Sequence, residues 1–362
     1  MHRLLQFPAI SIPTGIAGHV AQHITLSGDG GACPPPGHPN QSCEQIMLTK
    51  DGGLSYEITK QIPKGTSGNF NGYGDLGSWV PPKKGAVATK GEFKAIVGCN
   101  DCSNPGGSLT EPTFLQTWMD DGTTLKLTKN QTITYKQTPA ALTGHCAYGK
   151  GGPCAMSTPD QSIVRMKNGE LLMAMYGHAA DGHKNGSLYT TVFYSSADDG
   201  LTWTYASRVD VTDAMVASPK GAGEGPCEPT MATLADGRTL AAFRLEGGHP
   251  VWLSYTSDNG KTWSEPTPAK GTQVGLSPAS ACICCAFYRW NCPSIEPFAP
   301  SHSLCLRMEL RNLQAPGSPG SAATPYAVWP QLLVLSNGAL VLASGRPGIG
   351  FWVSPHADGA WN

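Results

Sequence analysis

Glu228, Arg244 and Arg346 stand at related distances from glycines in hairpin-like segments. Glu228 lies nine residues before Gly237, as Asp160 does before Gly169 and Trp329 before Gly338. Arg244 follows Gly237 by seven residues and Arg346 follows Gly338 by eight. If each glycine closes a hairpin, the first set shares the start of one strand and the arginines share the far end of the next. Both sets then project at one end of their sheets. Two guanidinium groups aimed at one polar hollow repel each other and lose hydration unless an anion lies between them. The planar fork of arginine suits a carboxylate, and a glutamate beside it adds a proton acceptor. The other use of each arginine is a salt bridge at a sheet edge.

The elements that must position these groups are repeated. Ser162–Tyr176, Thr230–Arg244 and Gln331–Ala343 each read as strand, Asn-Gly or Asp-Gly turn, strand, the strongest short-range hairpin signal. A second pattern follows at 49–56, 196–203 and 256–263, each reading hydroxyl, x, Asp, x, Gly, x, hydroxyl, aromatic; Ser354 to Trp361 is a worn copy. In such a turn the Asp caps backbone N–H groups, Gly supplies positive φ and the aromatic folds back as a plug. Two hairpin strands, a third strand such as Leu188–Tyr194 or Val251–Tyr255, the Asp turn and a fourth strand make one antiparallel sheet. An array of such sheets predicts an all-β fold, a β-propeller of four-stranded blades.

About five blades are countable, around 49–56, Asp121-Gly122, 196–203, 256–263 and 354–361. The chain is therefore expected to be partial, or to close its ring by pairing the last blade with the N-terminal segment. Residues 1–44 read as an irregular segment or partial blade and 45–362 as the propeller. A stretch at about 264–325, with five cysteines and nine prolines, reads as a disulfide-pinned insertion.

The Asp turns, together with Cys227-Glu228-Pro229, Phe243-Arg244 and Ser344-Gly345-Arg346-Pro347-Gly348, resemble the sialidase (neuraminidase) superfamily. There the Asp turn is called the Asp-box or BNR repeat, and it is structural. The resemblance implies a six-bladed propeller in which Asp51, Asp198 and Asp258 are turn residues. It implies that Glu228 polarises a tyrosine nucleophile and that Arg244 and Arg346 are the second and third arginines gripping a sialic acid carboxylate. A neutral tyrosine avoids the repulsion that a carboxylate nucleophile would meet from an anionic sugar. The first arginine of the triad has no Arg-Ile-Pro-like match, Arg3 being the only arginine before residue 165. For the acid/base aspartate, Asp29 is the candidate in the family's order. Asp160 faces the channel by internal alignment but belongs to another blade. The nucleophilic tyrosine is expected in the blade after Arg346, where this chain carries no tyrosine, so the chain by itself is expected to lack its nucleophile and to be inactive. Trp329 takes the matching position one blade earlier and cannot act as a nucleophile.

Composition limits the alternatives. The 362 residues carry 25 Lys+Arg against 26 Asp+Glu, a formal charge of −1, which gives no footprint for nucleic acid or an anionic membrane. No apolar run reaches the ~18–20 residues of a membrane span. Gly and Pro number 44 and 30, which favours turns over long helices. Twelve cysteines and sequons at Asn40, Asn130 and Asn185 favour disulfides in a secreted or lumenal protein, although Met1–Pro8 has no signal-peptide pattern. Cys99-Asn100-Asp101-Cys102 lacks a second CxxC, His178 and His183 lack further ligands, and the Gly-rich 221–225 opens no helix. No metal, phosphate site or cofactor is expected. The expected function is an exo-glycosidase removing a terminal acidic sugar from sialylated or other acidic glycans. The alternative is a non-catalytic propeller that binds a glycan or protein through the same mouth. Oligomeric state is not legible in the sequence.

Overall fold

The Asn-Gly or Asp-Gly pairs of the three hairpins at 162–176, 230–244 and 331–343 make the same loop. Gly169 N–H donates to Met166 C=O at 3.0 Å and Met166 N–H to Glu170 C=O at 2.9 Å; the same two bonds close Leu234–Arg238 and Leu335–Ala339. Gly169, Gly237 and Gly338 have φ of 87°, 91° and 85°, a region that a Cβ penalises. The loops are three-residue hairpins with glycine in the left-handed position.

In the computed structural model, the described residues are 10–25, 44–52, 55, 57–62, 78–83, 90–97, 114–143, 162–183, 187–219, 221–246, 249–269, 328–335, 337–345 and 350–354. They form four sheets of four or more strands and a fifth of three. The first sheet holds β1 (Ile10–Pro13), β2 (Val20–Thr25), β3 (Glu44–Thr49) and β4 (Glu57–Ile62). The second holds β5 (Ser78–Val80), β6 (Glu92–Val97), β7 (Phe114–Asp120) and β8 (Leu125–Thr132). Next in the chain is β9 (Thr134–Lys136), which crosses over to pair parallel with the outer strand of the third sheet. That sheet comprises β10 (Ile163–Arg165), β11 (Leu171–His178), β12 (Tyr189–Ser196) and β13 (Thr202–Val209). The fourth has β14 (Cys227–Thr233), β15 (Thr239–Arg244), β16 (Trp252–Thr256) and the two-residue β17 (Thr267–Pro268). The fifth has β18 (Val328–Val334), β19 (Leu340–Gly345) and β20 (Gly350–Ser354). Within each sheet, consecutive strands pair antiparallel.

A separate apolar core fills each gap between successive sheets. Ile12 and Ala21 meet Phe93, Ala95 and Trp118 between the first and second. Ile96 and Leu115 meet Leu171, Met173 and Trp203 between the second and third. Leu172 and Phe193 meet Met231, Phe243 and Trp252 between the third and fourth. Leu240 and Ala242 meet Leu332 and Leu342 between the fourth and fifth. Sheets covered on both faces by their neighbours give the propeller arrangement, and they explain why β11 and β14 are almost wholly buried rather than alternating.

The Asp turns are turn residues, as their spacing suggests. Asp198 accepts from Ser196 Oγ at 2.9 Å and Thr202 N at 2.8 Å; Asp258 accepts from Thr256 Oγ1 and Thr262 N at 2.8 and 2.9 Å. Asp51 holds Ser55 N and Oγ at 2.9 and 2.6 Å. These bonds outweigh burial and draw Asp258 down to about 2 and Asp198 below the ordinary carboxylate value. Asp121 makes a shortened version, accepting from Thr123 N and Thr124 N at 2.9 and 2.8 Å. The aromatics do more than cover their own turns. Trp203 is fully buried against the second sheet. Trp263 stacks on Phe193 of the third sheet at 4.1 Å and donates through Nε1 to Ser207 Oγ at 3.0 Å. Each tryptophan thus ties its blade to the preceding one.

The disulfide expectation fails for Cys227, a buried free thiol on β14, inside a sheet where its sulfur faces Glu224 and the Arg244 carbonyl. The other eleven cysteines lie outside the described residues, as do the worn Asp turn beyond Ser354 and most of the insertion at 264–325. Within that insertion, Thr267–Pro268 is the fourth strand of a blade.

Candidate functional site

Strand register sorts the two ends of each sheet. Leu171 pairs with Ser196 and Thr239 with Thr256, so hairpin loops and Asp turns share one end. Cys227 pairs with Arg244, so Glu228 and Arg244 share the other. Between Cys227 and Thr230 the pairing slips, and Glu228-Pro229 forms the bulge. Glu228 has φ 43°. The other described non-glycine residues with positive φ are Gln137, Asp199 and Asn259, the last two within Asp turns. A long side chain in this region directly before proline is unfavourable by about 1–3 kcal/mol. The bulge re-aims the glutamate out of the ladder's alternation.

The re-aimed carboxylate meets the arginine of the neighbouring strand. Arg244 Nη1 donates to Glu228 Oε1 at 2.7 Å, with side-chain exposures of 16% and 8%. Arg244 Nη2 reaches Glu224 Oε2 at 3.2 Å, and that carboxylate is 44% exposed. Arg244 Nε is buried and has no hydrogen-bond partner among the described residues. Burial opposes the arginine's charge, but Glu228 with Glu224 and Cys227 outweighs it and holds the guanidinium above its ordinary value. Burial, then Glu228, push the Cys227 thiol well up, so it is no ready nucleophile.

Glu224 and the aromatic rim are residues that the sequence reading missed. In sequence, Gly221–Gly225 shows only as a Gly-rich stretch that opens no helix. Its glycines 223 and 225 have φ of 54° and 89°, and a Cβ on Gly225 would lie 2.4 Å from the Tyr189 carbonyl oxygen. Glu224 N–H donates to Leu245 C=O at 2.8 Å and its carbonyl accepts from Tyr189 N at 2.7 Å, which fixes the turn beside Arg244. Tyr176 follows Gly169 by seven residues, as Arg244 follows Gly237, and that offset was available to find it. It meets Tyr189 edge to face at 5.3 Å, and His178 lies 4.5 Å from Tyr189, at the same end of the third sheet as Arg244 is in the fourth.

In the fifth sheet Val328 pairs with Gly345 and the same slip precedes Gln331. Trp329 therefore matches Glu228 in register, while Gly345 matches Arg244, one residue short of Arg346. Arg346, Asp160 and Asp29 lie outside the described residues. Among the described residues no group of three His, Cys, Asp or Glu is placed to hold a metal ion, and no helix is long and apolar enough to cross a membrane.

A family model described as "BNR repeat-like domain" matches residues 108–278, which contain two Asp turns, Glu228 and Arg244. This stretch is similar to that family over somewhat less than half of the chain. The sialidase-superfamily resemblance fits that match and the propeller arrangement. A Hadza microbial sialidase is similar in structure, with a TM-score of 0.50 and 13% identity, covering 98% of this chain and 57% of its own. An α-L-arabinofuranosidase from Fusarium graminearum scores 0.45 at 12% identity over 99% of this chain and 85% of its own. NanB sialidase from Streptococcus pneumoniae (K499G form) scores 0.45 at 11% identity over 98% and 60%. The chain thus spans somewhat under two thirds of the sialidases that it matches. At 13% identity, the likeness to the Hadza microbial sialidase bears on the fold alone. The curated proteins include no match.

Proposed function

We propose that the chain belongs to a sialidase-like exo-glycosidase that hydrolyses a terminal acidic sugar, retaining in mechanism. The observation that carries this reading is the buried Glu228–Arg244 pair, built by a strained bulge at the end of the sheet opposite the Asp turns. On this reading Arg244, with Arg346, receives the sugar carboxylate through its forked N–H groups. Glu228 accepts the proton of a tyrosine as its oxygen bonds the anomeric carbon and the aglycone oxygen departs, protonated by an aspartate. Water then cleaves the glycosyl–tyrosine bond and the proton returns. The aspartate is proposed to be Asp29 or Asp160. The aromatic rim of Tyr176 and Tyr189 offers ring faces for neighbouring sugars.

Support is chemical. The superfamily resemblance assigns this glutamate and arginine to nucleophile activation and carboxylate binding, and the matching bulge of the fifth sheet carries Trp329 and Gly345 in their place. Turnover of a fluorogenic sialoside by the whole protein that contains this chain tests the reading. Arg244→Lys keeps the charge and removes the fork; a rise in KM with preserved folding is the expected result. Saturable binding of the sugar without turnover would instead favour the glycan-binding propeller.

A further inference from the structure

The guanidinium that this reading assigns to the substrate is already held at both ends by carboxylates of the chain. Glu228 holds it from within, at 2.7 Å and nearly without solvent contact. Glu224 holds it from outside, at 3.2 Å and 44% exposed. The three groups sum to one negative charge. An incoming carboxylate therefore meets a net anionic cluster, and the outward N–H group suited to it is the one that Glu224 occupies. We infer that Glu224 is an internal competitor for Arg244: the substrate's carboxylate must displace it, and Glu224 thereby sets the threshold of affinity for anionic sugars. The inference rests on the carboxylate-clamp reading of Arg244.

The local construction fits this role. Glu224 sits on a turn whose backbone is tied on one side to Leu245 and on the other to Tyr189, and whose flanking glycines admit no Cβ without collision. The backbone is fixed, so only the side chain needs to swing away. Its carboxylate already borders solvent and is rehydrated on release, while the largely buried guanidinium passes to the incoming carboxylate rather than being left unpaired. Glu228 lacks this freedom: it is buried, and its backbone is committed to the bulge. One arginine thus has a permanent partner and a replaceable one, and Gly221–Gly225, which has no phosphate-binding role, becomes the arm that presents the replaceable one. A structural ion pair would favour neutral and anionic ligands alike. A competitor discriminates between them.

Calorimetric titration of the full chain with N-acetylneuraminic acid and with its methyl ester tests this. Glu224→Gln removes the competing charge, keeps the side chain's shape and leaves the turn's backbone bonds in place. It should tighten binding of the acid about fivefold, while the ester is unchanged. Arg244→Ala, or Arg244→Lys if the alanine variant does not fold, should lose binding of the acid in either background. If Arg244 variants lose the acid while Glu224→Gln binds it equally or more weakly, Glu224 is not a competitor and the clamp still stands. If acid and ester tighten together, the variant has loosened the site generally and the inference fails. If the acid binds wild type and Arg244 variants alike, or binds none of the proteins, the clamp itself fails and the inference with it.

Discussion

The two ends of the fourth sheet use carboxylates in opposite ways. At the Asp-turn end, Asp258 is outward, and its oxygens are satisfied by Thr256, Lys261 and Thr262 of its own loop. The same solution recurs at Asp198 and, shortened, at Asp121. At the other end, Glu228 is buried, held in a strained bulge and bonded to an arginine that a second glutamate also contacts. The fifth sheet repeats the slip in register but puts Trp329 and Gly345 at these positions. What repeats is scaffold. What occurs once on a repeated frame is where the proposed chemistry is placed.

The largest change should come from the scaffold end. Trp203→Ala empties a fully buried site between two blades and should cost about 4 kcal/mol, read as a large fall in melting temperature with ligand affinity per folded molecule unchanged. Arg244→Ala comes next. It leaves the Glu228 carboxylate buried without its cation and should cost about 3 kcal/mol. Here binding of an acidic sugar should fall far more than the melt implies. If both variants lose stability and affinity in proportion, the division between the two ends disappears.

Asp258→Asn should have a smaller effect, about 1 kcal/mol at neutral pH, comparable to loss of a capping side chain. The pH dependence sharpens it. The carboxyl of Asp258 is drawn from its ordinary 3.8 to about 2 in the folded chain. Its stabilisation is therefore complete above about pH 4 and is lost as pH falls through about 2. Melting curves between those values should flatten in the asparagine variant, and an unchanged slope would remove the structural assignment. Gly237→Ala should be the mildest. Its Cβ would meet the flexible Lys167 side chain, so the cost is the φ of 91°, about 1 kcal/mol or less by chemical denaturation.

The legibility of the sequence follows the same division. Hairpins and Asp turns were readable because their determinants are local: a glycine at positive φ, an aspartate two or four residues from the groups it caps. The turn at Asp121 was half hidden because its cap spans Thr123 and Thr124 without the full pattern or its aromatic. β9 could not be read, since three residues pairing in parallel with a distant outer strand leave no periodic signal. Counting from hairpin glycines placed Glu228 and Arg244 on paired strands, because register follows from the loop. It missed the strict counterpart of Arg244 in the fifth sheet, Gly345, since an offset of eight does not replace an offset of seven. Glu224 was illegible for another reason. Its contact depends on a turn whose path is fixed by Leu245 and Tyr189, neither of which is near it in sequence.

The most direct test of the account is sialoside turnover by the whole protein that contains this chain and by its Glu228→Gln variant, with melting measured on the same samples. Glutamine can still accept from Arg244 but cannot take a proton. The account predicts turnover in the wild type and a loss of about a thousandfold per folded molecule in the variant, far beyond what its lower melting temperature, from the Arg244 charge left without its buried partner, accounts for. Equal rates in the two proteins would contradict it.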